Sequence, residues 1–377
     1  MNEDKASRYH RLRRRATLVW TFAGGGALAG FLAAGGSPLL RDMAAGVTAA
    51  GPSAPSTVAL YALALAFGYL ALRLPLAFFQ GFVLERRYGL SSESLAAWAL
   101  DYLKAAALTA ALGVGAAQIV YLTMRWWPAW WWIASAACFA AALAILARLV
   151  PMALLPIFYR LEPLERESLR TRLAALCDRA RVPVLGIHVW SLGARSRRAN
   201  AALVGTGATR RILVSDTLLA DYSDDEIEVI LAHEIAHHVH GDIRRALLVE
   251  SALALASLGA GALALRASWE AFGLSDPADV AGLPLLFLAA ALVSLAAAPA
   301  VHALSRRNER RADRYALGLT GRPDAFVSAM RRLAAQNLAE ERPSRLSVWF
   351  FHTHPPMDER IALAQTLRVP GSLVAGS

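Results

Sequence analysis

Ser223-Asp-Asp-Glu-Ile-Glu-Val-Ile-Leu-Ala-His-Glu-Ile-Ala-His-His238 is the stretch on which the reading of this chain turns. Ser223 is a good helix cap, and Asp224, Asp225 and Glu226 follow where a helix dipole favours negative charge. The spacing predicts a helix that carries an HExxH motif. Side chains four apart lie on one helix face, so His233 and His237 can both turn a ring nitrogen toward one tetrahedral metal ion. Glu234, one step round, is placed to take a proton from water at that ion. The plain alternative is a pair of satisfied surface histidines. His238 is rotated off the ligand face, and His240 lies about 10 Å along the axis from His233 at helical rise, too far to share the ion. Both are expected to be solvated. An extended HExxHxxGxxH motif is excluded, because its glycine and third histidine would fall at His240 and Ile243.

On either side of this helix the chain is too apolar for an ordinary soluble domain. Hydrophobic residues make up 56% of the 377, and six stretches are long enough to cross a hydrocarbon core about 30 Å thick, which takes roughly 20 helical residues. They lie near 17–35, 58–79, 103–122, 131–149, 247–265 and 285–304. The leader Arg8, Arg11, Arg13, Arg14 and Arg15 is strongly basic, whereas the loop after the first span holds only Arg41, beside Asp42. Cations mark the cytoplasmic side, so both ends and the Arg-rich middle are expected inside. The first span is longer than the usual core of a secretory signal, the competing reading. Trp126, Trp127, Trp130, Trp131 and Trp132 at a span entrance fit an interfacial belt better than a ligand box.

The predicted organisation is a membrane region of four helices (1–150), a cytoplasmic part with the HExxH helix (151–244), a transmembrane hairpin (245–304) and a cytoplasmic tail (305–377). Within the second part a helix is expected over 165–181, with Leu169, Leu173 and Leu176 on one face. Strands are expected at 186–190, 201–204 and 211–215, with Gly205 and Gly207 turning between the last two. Cys138 and Cys177 are the only cysteines. Cys138 lies in a span, so neither a disulfide framework nor cysteine ligation is expected. The net charge of +10 comes without a nucleic-acid-binding motif, and the basic residues cluster beside spans, so no nucleic-acid partner is expected.

Two imidazoles leave room for a third ligand. Ser305-Arg-Arg-Asn-Glu-Arg-Arg-Ala-Asp313 places Glu309 and Asp313 four apart on a further helix. Such a pair can supply one metal ligand and one acid to hold a ligand imidazole's other nitrogen. Taken alone, Glu309 among arginines reads equally as an ion-paired surface residue.

At this point the sequence resembles the integral-membrane CAAX prenyl protease type 1 family of zinc metallopeptidases, over about residues 73–367. The likeness rests on Leu74-Pro75, Phe82-Val-Leu-Glu-Arg-Arg-Tyr-Gly89, Asp101, Lys104, Pro156-Ile-Phe158, Asn200-Ala201, Gly205, Thr209-Arg-Arg-Ile212 and Asp216-Thr-Leu-Leu219, besides the HExxH. It implies one Zn2+ on His233, His237 and Glu309, base catalysis by Glu234, and a supporting role for Asp313. It also gives weight to His354-Pro-Pro356 and Arg360, either of which could donate to the carbonyl oxygen during hydrolysis. The strand near Asn200 and Ala201 is implied to hold an extended peptide by main-chain pairing. The chain departs from the family at Leu90-Ser91, where Phe-Asn is common, and in counting six membrane helices where some members have seven.

The expectation is therefore a mainly α, polytopic membrane protein with a zincin-like soluble part containing a small β-sheet. Its membrane helices are implied to surround a chamber. Its partners would be a peptide or protein substrate, prenylated or a membrane protein under turnover, and the bilayer. The expected place is a bacterial cell membrane with the site facing the cytoplasm. Two alternatives remain. An intramembrane cleaver would bury the motif in lipid, which Asp224, Asp225, Glu226 and Glu228 oppose. A non-catalytic zinc scaffold or transporter would normally close its metal with four protein ligands.

Overall fold

The computed structural model describes residues 5–149, 157, 160–193, 196–205, 207–340 and 343–366. Pro151, where the cytoplasmic part was expected to begin, Pro156 and Phe158 of the family likeness, and the tail beyond Thr366 lie outside the described residues. Among the described residues, six helices are long and apolar enough to cross a membrane. They are α1 (Lys5–Ala33), α3 (Pro55–Phe78), α5 (Leu95–Trp126), α6 (Trp131–Leu149), α10 (Asp242–Ser268) and α11 (Leu283–Thr320). Large apolar side chains such as Phe22, Phe67, Leu103, Leu263 and Leu292 stand exposed along them. A surface of that kind is unfavourable in water and ordinary against lipid tails. Pro75 removes one backbone donor near the end of α3. The helix continues through a π-turn, Phe79–Val83, into the short α4 (Leu84–Arg87).

The loop expected after the first span is instead a short helix, α2 (Gly36–Thr48). It is built inside out: Leu39, Met43 and Val47 are exposed while Ser37 and Arg41 are buried. Arg41 pairs with Asp279, and Ser37 Oγ donates to the Ala281 carbonyl at 2.6 Å. The binary pattern misleads here because the polar face closes on the bundle and the apolar face is left outward.

The soluble part is a four-stranded sheet in the order β1-β2-β4-β3. Its strands are β1 (Leu161–Pro163), β2 (Gly186–Trp190), β3 (Ala201–Val204) and β4 (Arg211–Ser215). β2 and β4 run parallel, and among the described residues β3 pairs antiparallel with β4 alone, which makes it an edge strand. Gly205 closes the β3 to β4 turn at φ +89°, and a Cβ there would stand 2.6 Å from the Thr209 carbonyl oxygen, so only glycine fits. Helix α7 (Glu167–Arg179) lays Leu169, Leu173 and Leu176 into a core shared with Ile212, Leu231 and Phe326.

Candidate active site

Helix α9 (Asp224–Val239) begins as the sequence predicts, with a reciprocal capping box between Ser223 and Glu226. Glu226 also accepts from Ser328 Oγ at 2.6 Å, which ties α9 to α12 (Pro323–Gln336). Ile227, Leu231 and Ile235 are fully buried, so α9 is a core helix and holds its polar side chains rigidly. It ends at Gly241, in the left-handed region at φ +68°, where the chain turns into α10. Helix α11 meanwhile runs unbroken through the expected boundary at residue 304. Its lower turns therefore carry Glu309 and Asp313 directly beneath a membrane span.

These elements bring His233, His237 and Glu309 together, with one ligand atom from each lying within 4.8 Å of the others. His233 Nε2 is 3.2 Å from Glu309 Oε2, and His237 Nε2 is 3.5 Å from Glu309 Oε1. Both Nδ1 atoms face the other way, onto carboxylates: His233 on Asp313 Oδ1 and His237 on Asp242 Oδ2, each at 2.9 Å. That fixes each ring and leaves both Nε2 atoms for a cation. Asp313 is held in turn by Arg360, whose Nε and Nη2 donate to it at 2.8 and 2.6 Å. Asp242 accepts from Arg245 at 2.9 Å and from Arg311.

A metal ion fits this donor set. Glu309 Oε2 is buried without a hydrogen-bond partner of acceptable geometry, although His354 Nδ1 stands 2.8 Å away. Burial works against a charged His233 ring, yet the Asp313 and Glu309 carboxylates outweigh it and push its pKa up to about 9. The cluster favours positive charge. Burial raises the Glu234 carboxyl above the usual range for a glutamate, against the opposing pull of His233 and His237.

Glu234 opens on a cleft of about 360 Å³ whose lining also includes Asn200, Ala201, His354 and Arg360. Every site residue expected from the sequence thus borders one space or supports it. The two candidate carbonyl donors differ in setting. Arg360 is 7% exposed and turned onto Asp313, whereas the His354 side chain is 60% exposed. Among the supporting residues Asp242 was missed, though an acid directly after the glycine that ends the HExxH helix is a readable signal. His238 and His240 correct the expectation of solvated rings. His238 Nε2 donates to the Leu203 carbonyl at 2.7 Å, and His240 packs edge-on against Tyr315.

The edge strand is fastened from the membrane side. The buried Tyr9 hydroxyl donates to Glu85 Oε1 at 2.5 Å, and Arg198 Nη2 donates to Glu85 Oε2 and to Tyr9 Oη, both at 2.9 Å. The Arg198 carbonyl accepts from Thr217, in the short helix α8 (Asp216–Asp221), at 2.8 Å, and Asn200 N donates to Ser215 Oγ at 2.9 Å. The start of β3 is therefore clamped between α1, α4 and β4. Glu85→Gln should lower kcat/KM about tenfold, mainly through KM, since hydrogen bonds to charged groups contribute about 1.5–3 kcal/mol. An unchanged KM in a normally stable variant would remove the clamp's link to the cleft.

The fold and site define a membrane metallopeptidase. Residues 163–368 match peptidase family M48, and residues 2–160 match the family described as CAAX prenyl protease N-terminal, five membrane helices. The chain belongs to peptidase family M48. Within that amino-terminal match the described residues hold four helices long enough to span, and α2 is too short to do so.

A Bacillus subtilis protein named uncharacterized metalloprotease YhfN is 28% identical over 289 residues, which cover 76% of this chain and 68% of the relative. CAAX prenyl protease 1 of Saccharomyces cerevisiae is 28% identical over 312 residues, 76% of this chain and 67% of the relative. The crystal structure of S. mikatae Ste24p superposes with a TM-score of 0.85 at 21% identity, covering 96% of this chain and 88% of that one, which establishes a shared fold. None of these matches supports a non-catalytic scaffold. The match from residue 2 onward and the packing of Tyr9 make α1 part of the folded molecule.

Proposed function

We propose that this protein is a zinc-dependent endopeptidase that cleaves extended segments of membrane-associated proteins on the cytoplasmic side of a bacterial cell membrane. The observation that carries the proposal is the convergence of His233, His237 and Glu309, each imidazole pinned by its own aspartate, beside the half-buried carboxylate of Glu234. The basic leader and the arginines that follow the last span support the orientation. Zinc is favoured over harder divalent cations because two imidazoles and one carboxylate suit it, and three protein ligands are the pattern of a catalytic rather than a structural site.

When bound, zinc would supply a Lewis acid that polarises water and the peptide carbonyl. The chain's own residues do the rest. Directly before β3 the Asn200 carbonyl accepts from Ser215 N, so with antiparallel alternation the next residue, Ala201, turns its N–H and C=O to the free edge. His238 occupies the Leu203 carbonyl farther along that edge, which leaves Ala201 beside the cleft to pair with a substrate backbone. Glu234 takes a proton from the attacking water and returns it to the departing amine, two tasks helped by a carboxyl pKa raised by burial. His354, mostly exposed beside Glu309, donates to the carbonyl oxygen as it gains charge. Arg360 acts through Asp313 to keep the His233 ring in place.

The test is the metal content of detergent-purified protein together with cleavage of an unfolded reporter peptide, with and without chelator. One zinc per chain, loss of cleavage on chelation and recovery with added zinc are expected. Full zinc occupancy without cleavage of any peptide would count against the enzyme reading, and failure to bind metal would remove the site.

A further inference from the structure

Helix α13 (Arg345–Phe351) has no part in the site described above, yet it precedes His352 and His354 directly. Its outward surface is apolar: Leu346 is 71% exposed and Trp349 59%, and Phe350 and Phe351 are also open. Leu346, Trp349 and Phe350 fall at i, i+3 and i+4, on one helix face. Ser347 lies inward, buried, with its hydroxyl 3.2 Å from His352 Nε2.

Two attachments set the level of this helix. Arg306, in the first turn after the apolar run of α11, donates to the carbonyls of Val348 and His352, both at 2.8 Å. On the other side, His10 contacts the Leu338 carbonyl at 2.7 Å and Arg14 pairs with Glu340 at 2.5 Å, so the segment leading to α13 is held by the basic leader of α1. Arg14 and Arg306 each stand where a span's apolar run meets cations, which is where a bilayer's hydrocarbon gives way to its headgroups. A helix fixed at that level, with two phenylalanines and a tryptophan facing out and the exposed Arg345 at its start, has the composition of a helix lying in the interface.

We propose that α13 lies in the cytoplasmic headgroup layer of the bilayer, with Leu346, Trp349 and Phe350 in the lipid, and that this contact holds the loop bearing His354 against Glu309. The lipid surface is favoured over a partner protein because Arg306 and Arg14 attach the helix and its approach to the ends of two spans that themselves present exposed apolar side chains, Phe22 on α1 and Leu292 on α11 among them. The link to His354 rests on the proposed peptidase site. The lipid contact does not.

The experiment places an environment-sensitive fluorophore at Trp349→Cys in a chain carrying Cys138→Ala and Cys177→Ala, reconstituted in phosphatidylcholine and phosphatidylglycerol vesicles. Glu165→Cys, in the soluble part, is the aqueous control. The label at 349 should emit to the blue of the control and be quenched by lipids bearing a shallow nitroxide, with little quenching by iodide. Iodide quenching equal to the control overturns the proposal, as does a label reached by neither quencher, since that places the helix against protein. Unlabelled Trp349→Asp should keep its zinc and lose about tenfold in kcat/KM in vesicles, the order expected when a reacting group is misplaced from a distance, with Trp349→Phe restoring it. Lipid quenching with no change in kcat/KM would keep the interface and overturn the coupling to His354. Lipid quenching in a protein that cleaves nothing would instead count against the peptidase reading.

Discussion

Glu234→Gln should leave the metal in place and lower kcat about a thousandfold, near the middle of the range for loss of a positioned acid–base group. That factor corresponds to about 4 kcal/mol of transition-state stabilisation. The substitution keeps the shape of the side chain and removes only its ability to accept and return a proton. None of the three candidate ligands depends on Glu234: His233 and His237 are oriented through Asp313 and Asp242, and Glu309 comes from a different helix. Metal occupancy and catalysis therefore separate in this variant. A Gln variant within tenfold of the parent would remove Glu234 as the base. A variant that lost its metal would show that the two functions are not independent.

How much of this was legible in the sequence depends on whether the signal was local. The α9 helix, its Ser223 cap and the facing of His233 and His237 follow from spacing of four and from capping chemistry, both confined to one turn or two. The three strands with predicted bounds each join a hydrophobic run to a turn signal, and the structure keeps those bounds. β1 carried no such signal, since it is three residues long, ends in Pro163 and exists only because β2 offers it an edge. α2 was hidden by Gly36, Pro38 and Gly46 and by a polar face that only the folded bundle can satisfy, through Asp279 and Ala281.

The site divides in the same way. Glu309 could be nominated from its place four before Asp313, but its choice between ligand and surface ion pair is made by tertiary packing. Asp242 lies five residues past His237, a spacing that misses the ligand face of a continuous helix. The left-handed turn at Gly241 breaks the helical period and swings the carboxylate back to His237 Nδ1. Helix periodicity carries information only as far as the helix runs. His238 shows the converse: its rotation off the ligand face was read correctly, and what it meets there, the Leu203 carbonyl of an edge strand, was not.

Glu309→Ala should cost the protein its metal, and the size of the loss can be bounded by comparison with the two aspartates. Removing the outer partner of a ligand imidazole typically weakens metal binding about 10–100-fold. Asp313→Asn and Asp242→Asn should each fall in that range, because the amide can still hold the ring but with the wrong polarity for one of its tautomers. Glu309 is different in kind. Among the described residues its carboxylate alone joins the two imidazoles in one ligand group, approaching both His233 Nε2 and His237 Nε2, and without it two neutral imidazoles face the ion with the anionic member of that group gone. The loss should therefore exceed about 100-fold, beyond the range for an outer partner. Competition of each variant against a chelator of known strength measures all three affinities on one scale. If Glu309→Ala binds within tenfold of the parent while Asp313→Asn does not, the carboxylate ligand has been misassigned and Asp313 takes its place. If all three bind as the parent does, the ion sits elsewhere, and the pairing of two ring-bound aspartates with two convergent imidazoles has another explanation.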